Sequence, residues 1–190
     1  MKQRALPLSD RYDPTTQQLL RYEAAQLDDQ LRDLKETVAG LEVEHLEWQA
    51  EPGRNTIGML LAHIAVAEAF WTQVAVAGLH GTPAGNERMR EVIGIRKEED
   101  GMPLQPDGLH PETLSGMRLQ DYFAMLDDMR KATHATLSGW KDAELEQSFD
   151  VGDHRVSRAW TVYHILEHLT AHLGQIRVLK RETKDAGVLA

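Results

Sequence analysis

Residues 161–176 read TVYHILEHLTAHLGQI and carry His164, His168 and His172 at intervals of four. In an α-helix, four residues advance one turn and only about 40° around the axis, so the three imidazoles share one face. The apolar residues that flank this row are Trp160, Ile165, Leu169, Leu173 and Ile176. The stretch therefore predicts a long helix whose histidines border its buried face.

A further inward-facing histidine lies on an earlier predicted helix, residues 56–77, which Gly78 ends. The inward stripe of this helix contains Leu60, His63, Ile64, Ala67 and Trp71. His63 is therefore expected to face the same interior as the histidines of residues 161–176. Helical bundles build metal sites in this way, from side chains on facing helices.

Two other segments have helical periodicity, residues 13–40 and 118–137, and a final helix is predicted over 158–182 with Ser157 as its cap. Residues 79–115 contain five glycines and four prolines and predict a long crossover with one short helix inside it. No segment alternates long enough to predict a strand. The sequence predicts an all-α fold, a four-helix bundle with a long crossover between the second and third helices.

The composition is that of an ordinary globular protein. With 190 residues, 42% hydrophobic and 27% charged, we predict a single domain over residues 1–190 with its core at about 15–182. The most apolar run, IGMLLAHIAVAEAFW, is interrupted by His63 and Glu68 and is shorter than the roughly 20 residues of a membrane span. We predict no membrane partner and a cytoplasmic location, which the absence of cysteine fits.

Charge and residue types exclude several classes of function. The net charge of −9 argues against a nucleic-acid partner, because phosphates attract clustered Lys and Arg. With no cysteine, the chain has no disulfide, no thiolate ligand and no cysteine nucleophile. The charged stretch RKEED, residues 96–100, is interpreted as a solvated face. Glu68 and Glu167 are interpreted as surface carboxylates that could instead orient imidazoles or move a proton.

The row of histidines favours a metal site over simple packing. A single histidine on an apolar face is more often a hydrogen-bonded core residue than a ligand. Three histidines in a row are harder to explain as core residues, because each buried imidazole needs hydrogen-bond partners for both nitrogens unless a metal ion coordinates it. Zn²⁺ and Ni²⁺ suit neutral imidazole, and Mn²⁺ and Fe²⁺ also accept it, so we predict a divalent-metal site.

Three enzyme templates fit this row less well. His164, Glu167 and His168 match H-x-x-E-H, the inverted zinc-peptidase pattern, but five residues match readily by chance. The forward pattern H-E-x-x-H is absent, because Leu169 stands where the general base would be. A di-iron carboxylate bundle needs two Glu-x-x-His pairs, and only residues 42–45 fit. A metallohydrolase is therefore kept as a less favoured alternative.

Two blocks of sequence resemble the DinB-like superfamily of helical bundles. In residues 40–71, a turn with leucine and tryptophan leads through a Gly-containing loop to Thr-Ile-Gly and then to a leucine-rich run that ends in histidine. In residues 161–182, two histidines four apart have Gly-Gln just beyond the second, after one leucine. The resemblance spans about residues 15–182, and the crossover is its least similar part.

The resemblance implies three histidine ligands for a divalent metal, one from the second helix and two from the last. Matched residue by residue, these are His63, His168 and His172, the last identified by the Gly-Gln that follows it. His164 could replace a ligand or form a wall of the cofactor-binding pocket, and Trp71 could also line that pocket. No catalytic side chain is identified from the sequence.

Three neutral ligands leave coordination positions open, which is the catalytic rather than the structural pattern. The resemblance implies relatives that are S-transferases and an isomerase, which use low-molecular-weight thiols such as bacillithiol or mycothiol. We therefore predict metal-assisted activation of a small thiol for S-transfer to, or isomerisation of, a small-molecule substrate. The alternative is a non-catalytic, stress-associated protein that binds a metal or small molecule. A homodimer is also expected, through apolar outer positions of the first helix with Leu20 and Tyr22 at its edge.

Overall fold

The structure, a computed structural model, describes residues 5–102 and 104–189. Most of this part of the chain is helical, as predicted. The α-helices are α1 (Gln18–Val38), α2 (Val43–Glu47), α3 (Ile57–Ala69), α4 (Pro83–Ile93), α5 (Leu119–Ser138) and α6 (Arg158–Asp185). The shorter helical turns are the π-helical turn Phe70–Ala75 and the 3-10 turns Lys97–Asp100, Glu112–Leu114 and Asp142–Glu144. The four predicted long helices correspond to α1, α3, α5 and α6, and α4 is the short helix predicted within the crossover.

The prediction that no strand is present is wrong immediately before α6. Strands β1 (Ser148–Val151) and β2 (His154–Ser157) form an antiparallel hairpin in which Ser148 pairs with Ser157. Gly152, in the turn, has a φ of +59°, a conformation that glycine adopts without steric cost. Residues 148–151 do alternate polar and apolar, but over only four positions, the shortest run in which alternation indicates a strand, and residues 154–157 do not alternate.

Helix α3 is the central element of the core. It packs against α5 and α6, while α1 packs against α5 and α6 from the other side of the molecule. All of its thirteen residues are buried except His63 and Ala67, which are partly exposed. His63 lies where α3 meets α6, because its Nε2 is 3.2 Å from Nε2 of His168 on α6.

The stretch Ile57–Ala75 is long and apolar enough, by length and composition, to cross a membrane. However, 78% of its most apolar window is buried inside the protein. Burial on all sides is what an apolar core helix needs, and we interpret α3 and its π-helical turn accordingly.

A buried polar network links α1, α3 and α5, and it corrects the interpretation of Glu68 as a surface carboxylate. Two guanidinium nitrogens of Arg130, Nε and Nη2, each donate to one carboxylate oxygen of Glu68 at 2.9 Å. Asp28 accepts from Arg130 at 3.2 Å and lies 2.9 Å from Nε2 of His134, whose Nδ1 is 2.8 Å from the hydroxyl of Tyr12. Glu68 therefore neutralises a buried cation and takes no part in orienting imidazoles.

The outer face of α1 differs from the expectation at one position. Leu20 is fully buried in a cluster with residues of α5 and α6. Leu19 and Tyr22 are the large apolar residues that α1 exposes. Any contact between two copies of the chain through this helix would therefore use Leu19 and Tyr22, and not Leu20.

Candidate metal centre

Two helices supply the candidate metal centre, and each begins at a side-chain cap. The hydroxyl of Thr56 accepts a hydrogen bond from the backbone N–H of Met59 at 3.1 Å at the start of α3. The hydroxyl of Ser157 accepts from the backbone N–H of Trp160 at 3.1 Å at the start of α6, as predicted. These caps satisfy N–H groups that a first helical turn leaves unpaired, and they fix where each helix begins.

The structure brings His63, His168 and His172 together at the seam between α3 and α6. Nε2 of His168 lies 3.2 Å from Nε2 of His63 and 3.1 Å from Nε2 of His172. One ring nitrogen from each residue lies within 4.8 Å of the other two. These residues, called the histidine triad below, are the three that the sequence resemblance identified as ligands.

Asp100 holds the outer nitrogen of His63. Its Oδ2 lies 2.8 Å from Nδ1 of His63, and its Oδ1 accepts from the backbone N–H of Met102 at 2.8 Å. Asp100 is only 1% exposed, and no Lys or Arg of the described residues forms an ion pair with it. Because a carboxylate accepts, Nδ1 donates and Nε2 keeps its lone pair towards the triad. The interpretation of residues 96–100 as a solvated charged face is therefore wrong for Asp100.

Gln175 holds the outer nitrogen of His172 in the same way. Its side-chain oxygen lies 2.9 Å from Nδ1 of His172, one helical turn away on α6. An amide oxygen accepts, so Nδ1 of His172 donates and Nε2 again keeps its lone pair. The glutamine of the Gly-Gln motif is thus in hydrogen-bond contact with the histidine that the motif was used to identify.

His168 and His172 are held in the neutral form that binds metals. Burial, together with the neighbouring rings of His172, His63 and His164, lowers the pKa of His168 to about 3. Burial also lowers the pKa of His172, with a further contribution from His63, although the contact with Gln175 opposes the shift. Neutral imidazole is the form that coordinates a metal ion, so these rings do not have to lose a proton at neutral pH to act as ligands.

The donor set fits a divalent cation. Nitrogens bound to one Zn²⁺ at roughly 2.0–2.1 Å in a tetrahedral arrangement lie about 3.3 Å apart. The two closest pairs in the triad, at 3.2 and 3.1 Å, are near that separation. The fixed outer nitrogens of His63 and His172 match the common pattern in which a metal-binding imidazole donates its other N–H to a carboxylate or carbonyl group.

His164 lies beside the triad within an aromatic cluster. Its ring stacks on Trp160 with centroids 4.5 Å apart and meets Trp71 edge-on at 5.4 Å. The ring centroids of His164 and His168 are 5.9 Å apart, and His164 is not one of the three residues whose nitrogens converge. The structure therefore places His164 and Trp71 beside the triad, and their role as the wall of a pocket stays a prediction.

Glu167 is exposed, and its carboxylate lies 3.4 Å from Nδ1 of His164. In the inverted peptidase pattern both His164 and His168 would have to be ligands. The grouping of His168 with His63 and His172 instead of His164 argues against that template.

Sequence reasoning missed Asp100 as a residue of this site. Its stretch is charged throughout and lies in the crossover, where no periodicity indicates which side chain turns inward. The pairing of Glu68 did leave a signal, because a carboxylate inside the most apolar run of a chain must find a buried partner. Gln175 was visible in the motif, but its hydrogen bond to His172 was not.

These observations define a class of protein that is mainly helical and has a histidine-rich candidate metal site at the seam between two helices. The family model of the DinB superfamily matches residues 26–176. This match covers most of the chain, which therefore belongs to the DinB superfamily, and the resemblance noted in the sequence is confirmed.

Two solved structures are similar to this fold. A conserved protein from Enterococcus faecalis is 17% identical with a TM-score of 0.59, and the match covers 87% of this chain and 95% of that one. A DinB-like protein from Bacillus cereus is also 17% identical, with a TM-score of 0.51 and coverage of 84% and 91%. At this identity the similarity concerns the fold alone. A search of curated proteins found no match.

Proposed function

We propose that this protein is a metal-dependent enzyme that activates a low-molecular-weight thiol for S-transfer or isomerisation at the histidine triad. The observation that supports the proposal is the convergence of three Nε2 atoms, two of which have lone pairs fixed by hydrogen bonds at Nδ1. Lone pairs directed at one point repel each other, and a cation between them removes that repulsion. Zn²⁺ and Ni²⁺ suit such a donor set, and Mn²⁺ and Fe²⁺ also accept it.

A divalent ion with three neutral imidazole ligands retains its charge and open positions, and it lowers the pKa of a thiol bound there. The chain has no cysteine, so the thiol must arrive as a cosubstrate. In the transfer, the thiol gives its proton to solvent and its sulfur forms a bond to an electrophilic carbon of the acceptor. The leaving group departs with the pair of electrons of the broken bond.

The chain's own residues would orient the ligands and shape the pocket. Asp100 and Gln175 keep two imidazoles in the tautomer and direction that metal binding requires. The rings of Trp71, Trp160 and His164 lie on one side of the triad and form an aromatic wall, in which His164 stacks on Trp160 and Trp71 meets both rings edge-on. We infer that this wall receives the acceptor, because aromatic rings bind planar apolar groups and keep water from a reactive thiolate.

Metal content tests the first part of the proposal. Protein purified without a histidine tag is analysed for Zn, Ni, Mn and Fe, alongside His168→Ala, His172→Ala and His154→Ala. His154 is exposed on β2 and serves as the matched control. We expect about one divalent ion per chain in the wild type and in His154→Ala, with loss in both triad variants. Equal metal content in all four proteins would contradict the site.

Thiol transfer is tested with the metal-loaded protein, a panel of biological thiols and the aromatic electrophile monochlorobimane. We expect metal-dependent formation of the fluorescent thioether with at least one thiol, and its loss in His168→Ala. Metal binding without conjugation for any thiol would favour the alternative, a non-catalytic protein that binds a metal or small molecule. Peptide cleavage abolished by Glu167→Gln would instead support a metallohydrolase.

The architecture, the cellular location and the oligomeric state of the protein are also part of this proposal. We infer that the four long helices form a four-helix bundle, since α3 and α1 each pack against α5 and α6. A single domain, a cytoplasmic location and a homodimer remain predictions from the sequence and the resemblance. The homodimer is tested by sedimentation at micromolar concentration, with Tyr22→Ser as the variant expected to weaken it.

A further inference from the structure

A groove of about 410 Å³ lies beside the triad between the start of α3 and the second half of α6. Its size is in the range of small-molecule pockets. The groove adjoins the triad on both helices, because Leu60 lies one turn before His63 and Gln175 contacts His172. Its other lining residues are Arg54, Asn55, Ala171, Gly174, Val178, Leu179 and Glu182. The aromatic wall of Trp71, Trp160 and His164 lies on the other side of the triad from this groove.

Small residues of α6 keep this groove open. Gly174 and Ala171 both line it. A Cβ atom added at Gly174 would meet no atom within 4 Å, so the absence of a side chain there is not required by packing. Gly in the middle of a helix lowers stability by about 0.5–1 kcal/mol relative to Ala. Because packing does not require a glycine at this position, we interpret Gly174 as a feature of the groove.

The polar end of the groove has a guanidinium whose contacts are long. Nη2 of Arg54 lies 3.5 Å from both carboxylate oxygens of Glu182, and Nη1 lies 3.9 Å from Glu51. Charge-assisted hydrogen bonds are normally about 2.7–2.9 Å, and exposed pairs of this kind contribute little to stability. Arg54 therefore keeps donors that are available to a carboxylate of a ligand lying in the groove.

We propose that this groove binds the body of the thiol cosubstrate, and that Arg54 recognises a carboxylate at the end remote from sulfur. This inference rests on the proposed function, because the sulfur would lie at the triad. Ten residues separate His172 from Glu182 on α6, a rise of about 15 Å between their backbones, so the groove suits an extended ligand. The ligand class is thus an extended, acidic small thiol, with apolar contacts to the exposed Ala171 and Val178 along its length.

The test uses Co²⁺-loaded protein, because a thiolate bound to Co²⁺ gives a charge-transfer absorption band in the near ultraviolet. The probes are glutathione, its diethyl ester and 2-mercaptoethanol, titrated into wild type, Arg54→Gln and Gly174→Phe. The Cβ atom of Gly174→Phe would meet no neighbour within 4 Å, and its ring is expected to occupy the groove that residue 174 lines. Lys131→Gln, which removes an exposed cation on α5, is the matched control for loss of charge.

For Arg54→Gln we expect at least tenfold weaker binding of glutathione, with no change for the diester or 2-mercaptoethanol. For Gly174→Phe we expect weaker binding of both glutathione and its diester, again with 2-mercaptoethanol unchanged. Lys131→Gln should bind all three as the wild type does. If glutathione bound both groove variants as tightly as it binds the wild type, the assignment of the groove would be overturned. An absorption band of the wild type with 2-mercaptoethanol would in that case still support the proposed function. The absence of that band would overturn both.

Discussion

The carboxylate of Asp100 lies 2.8 Å from Nδ1 of His63, although the two residues are 37 positions apart in the sequence. His63 is on the central helix α3, and Asp100 ends a 3-10 turn in the crossover. The crossover is therefore connected to the candidate metal centre by a buried hydrogen bond. Besides α3 and α6, the crossover is therefore a third part of the chain that contributes to the site.

The first prediction concerns Asp100→Asn. The two contacts use different carboxylate oxygens, and in asparagine one of these is replaced by an NH2 group that cannot accept, so the contact with His63 or that with the backbone N–H of Met102 is lost. We expect metal affinity to fall by roughly 10–100-fold. Competition with a chelator of known affinity measures the change.

The control for this variant is Glu98→Gln. Glu98 lies in the same 3-10 turn but is exposed. It should leave the metal affinity unchanged. An equal loss in both variants would mean that the overall charge of the turn, and not the contact with His63, determines the affinity.

The second prediction is a pH dependence of the metal-free protein. The pKa of His168 is about 3 in the folded protein, whereas an unperturbed histidine has a pKa of about 6.5. Between these values the unfolded chain binds a proton that the folded protein does not, so the free energy of unfolding decreases as the pH falls. Calorimetry should give a lower melting temperature at pH 5 than at pH 7 after removal of metal.

His168→Leu isolates this contribution, because leucine fills the site and has no proton to bind. The decrease in melting temperature between pH 7 and pH 5 should be smaller in this variant than in the wild type. A difference of the same size in both proteins would show that other groups cause the pH dependence.

The third prediction concerns the buried pair of Glu68 and Arg130. Glu68→Gln leaves the guanidinium with only the half-exposed Asp28 as a counter-ion, so the free energy of unfolding should fall by roughly 3 kcal/mol. Urea denaturation measures the change. Metal affinity should be unaffected, since Glu68 has no contact with the triad.

The matched control is Asp33→Asn, which breaks the exposed ion pair with Arg177 at 2.8 Å. It should change the free energy of unfolding by less than about 1 kcal/mol. If Glu68→Gln were as mild as this control, the network would be a weaker contributor to stability than its burial indicates.

The fourth prediction concerns Gly58, in the first turn of α3. A Cβ atom there would lie 2.6 Å from the hydroxyl oxygen of Tyr122 and 3.1 Å from the carbonyl oxygen of Leu46. Gly58→Ala should therefore destabilise the protein by roughly 1–3 kcal/mol through overpacking. Adding Tyr122→Phe removes the closer obstacle and should restore part of the loss. A double variant no more stable than Gly58→Ala would locate the strain at the carbonyl oxygen of Leu46 and the ring of His110, which lie 3.1 and 3.2 Å from the added atom.

The sequence predicted the long helices and the triad for two different reasons. Apolar residues recur along the helices at helical spacing, and this periodicity reports burial directly. The grouping of His63 with His168 and His172 came from the family resemblance, because periodicity alone gives the inward faces but not the pairing of helices. The structure brings those three residues together.

The remaining features depend on the path of the chain between elements. Asp100 is buried because the crossover folds back over α3, where Gly101, at a φ of +79°, allows a sharp turn beside Pro111. Arg130 is 62 residues from its partner Glu68. Side chains that meet across such distances leave no local pattern, so single-sequence reasoning could state that Glu68 needs a partner but could not identify it.

The π-helical turn Phe70–Ala75 at the end of α3 has a consequence for chain length. A π-helical turn takes up one residue more than an α-helical turn. The extra residue is absorbed as a bulge, so the helical turns on either side of it keep their direction. A chain one residue shorter at this point would close the turn to α-helical pitch, with His63 already placed on the unchanged turns before it. We therefore expect the chain to tolerate the loss of a single residue here better than a deletion within α3, which would rotate the following turns by about 100°.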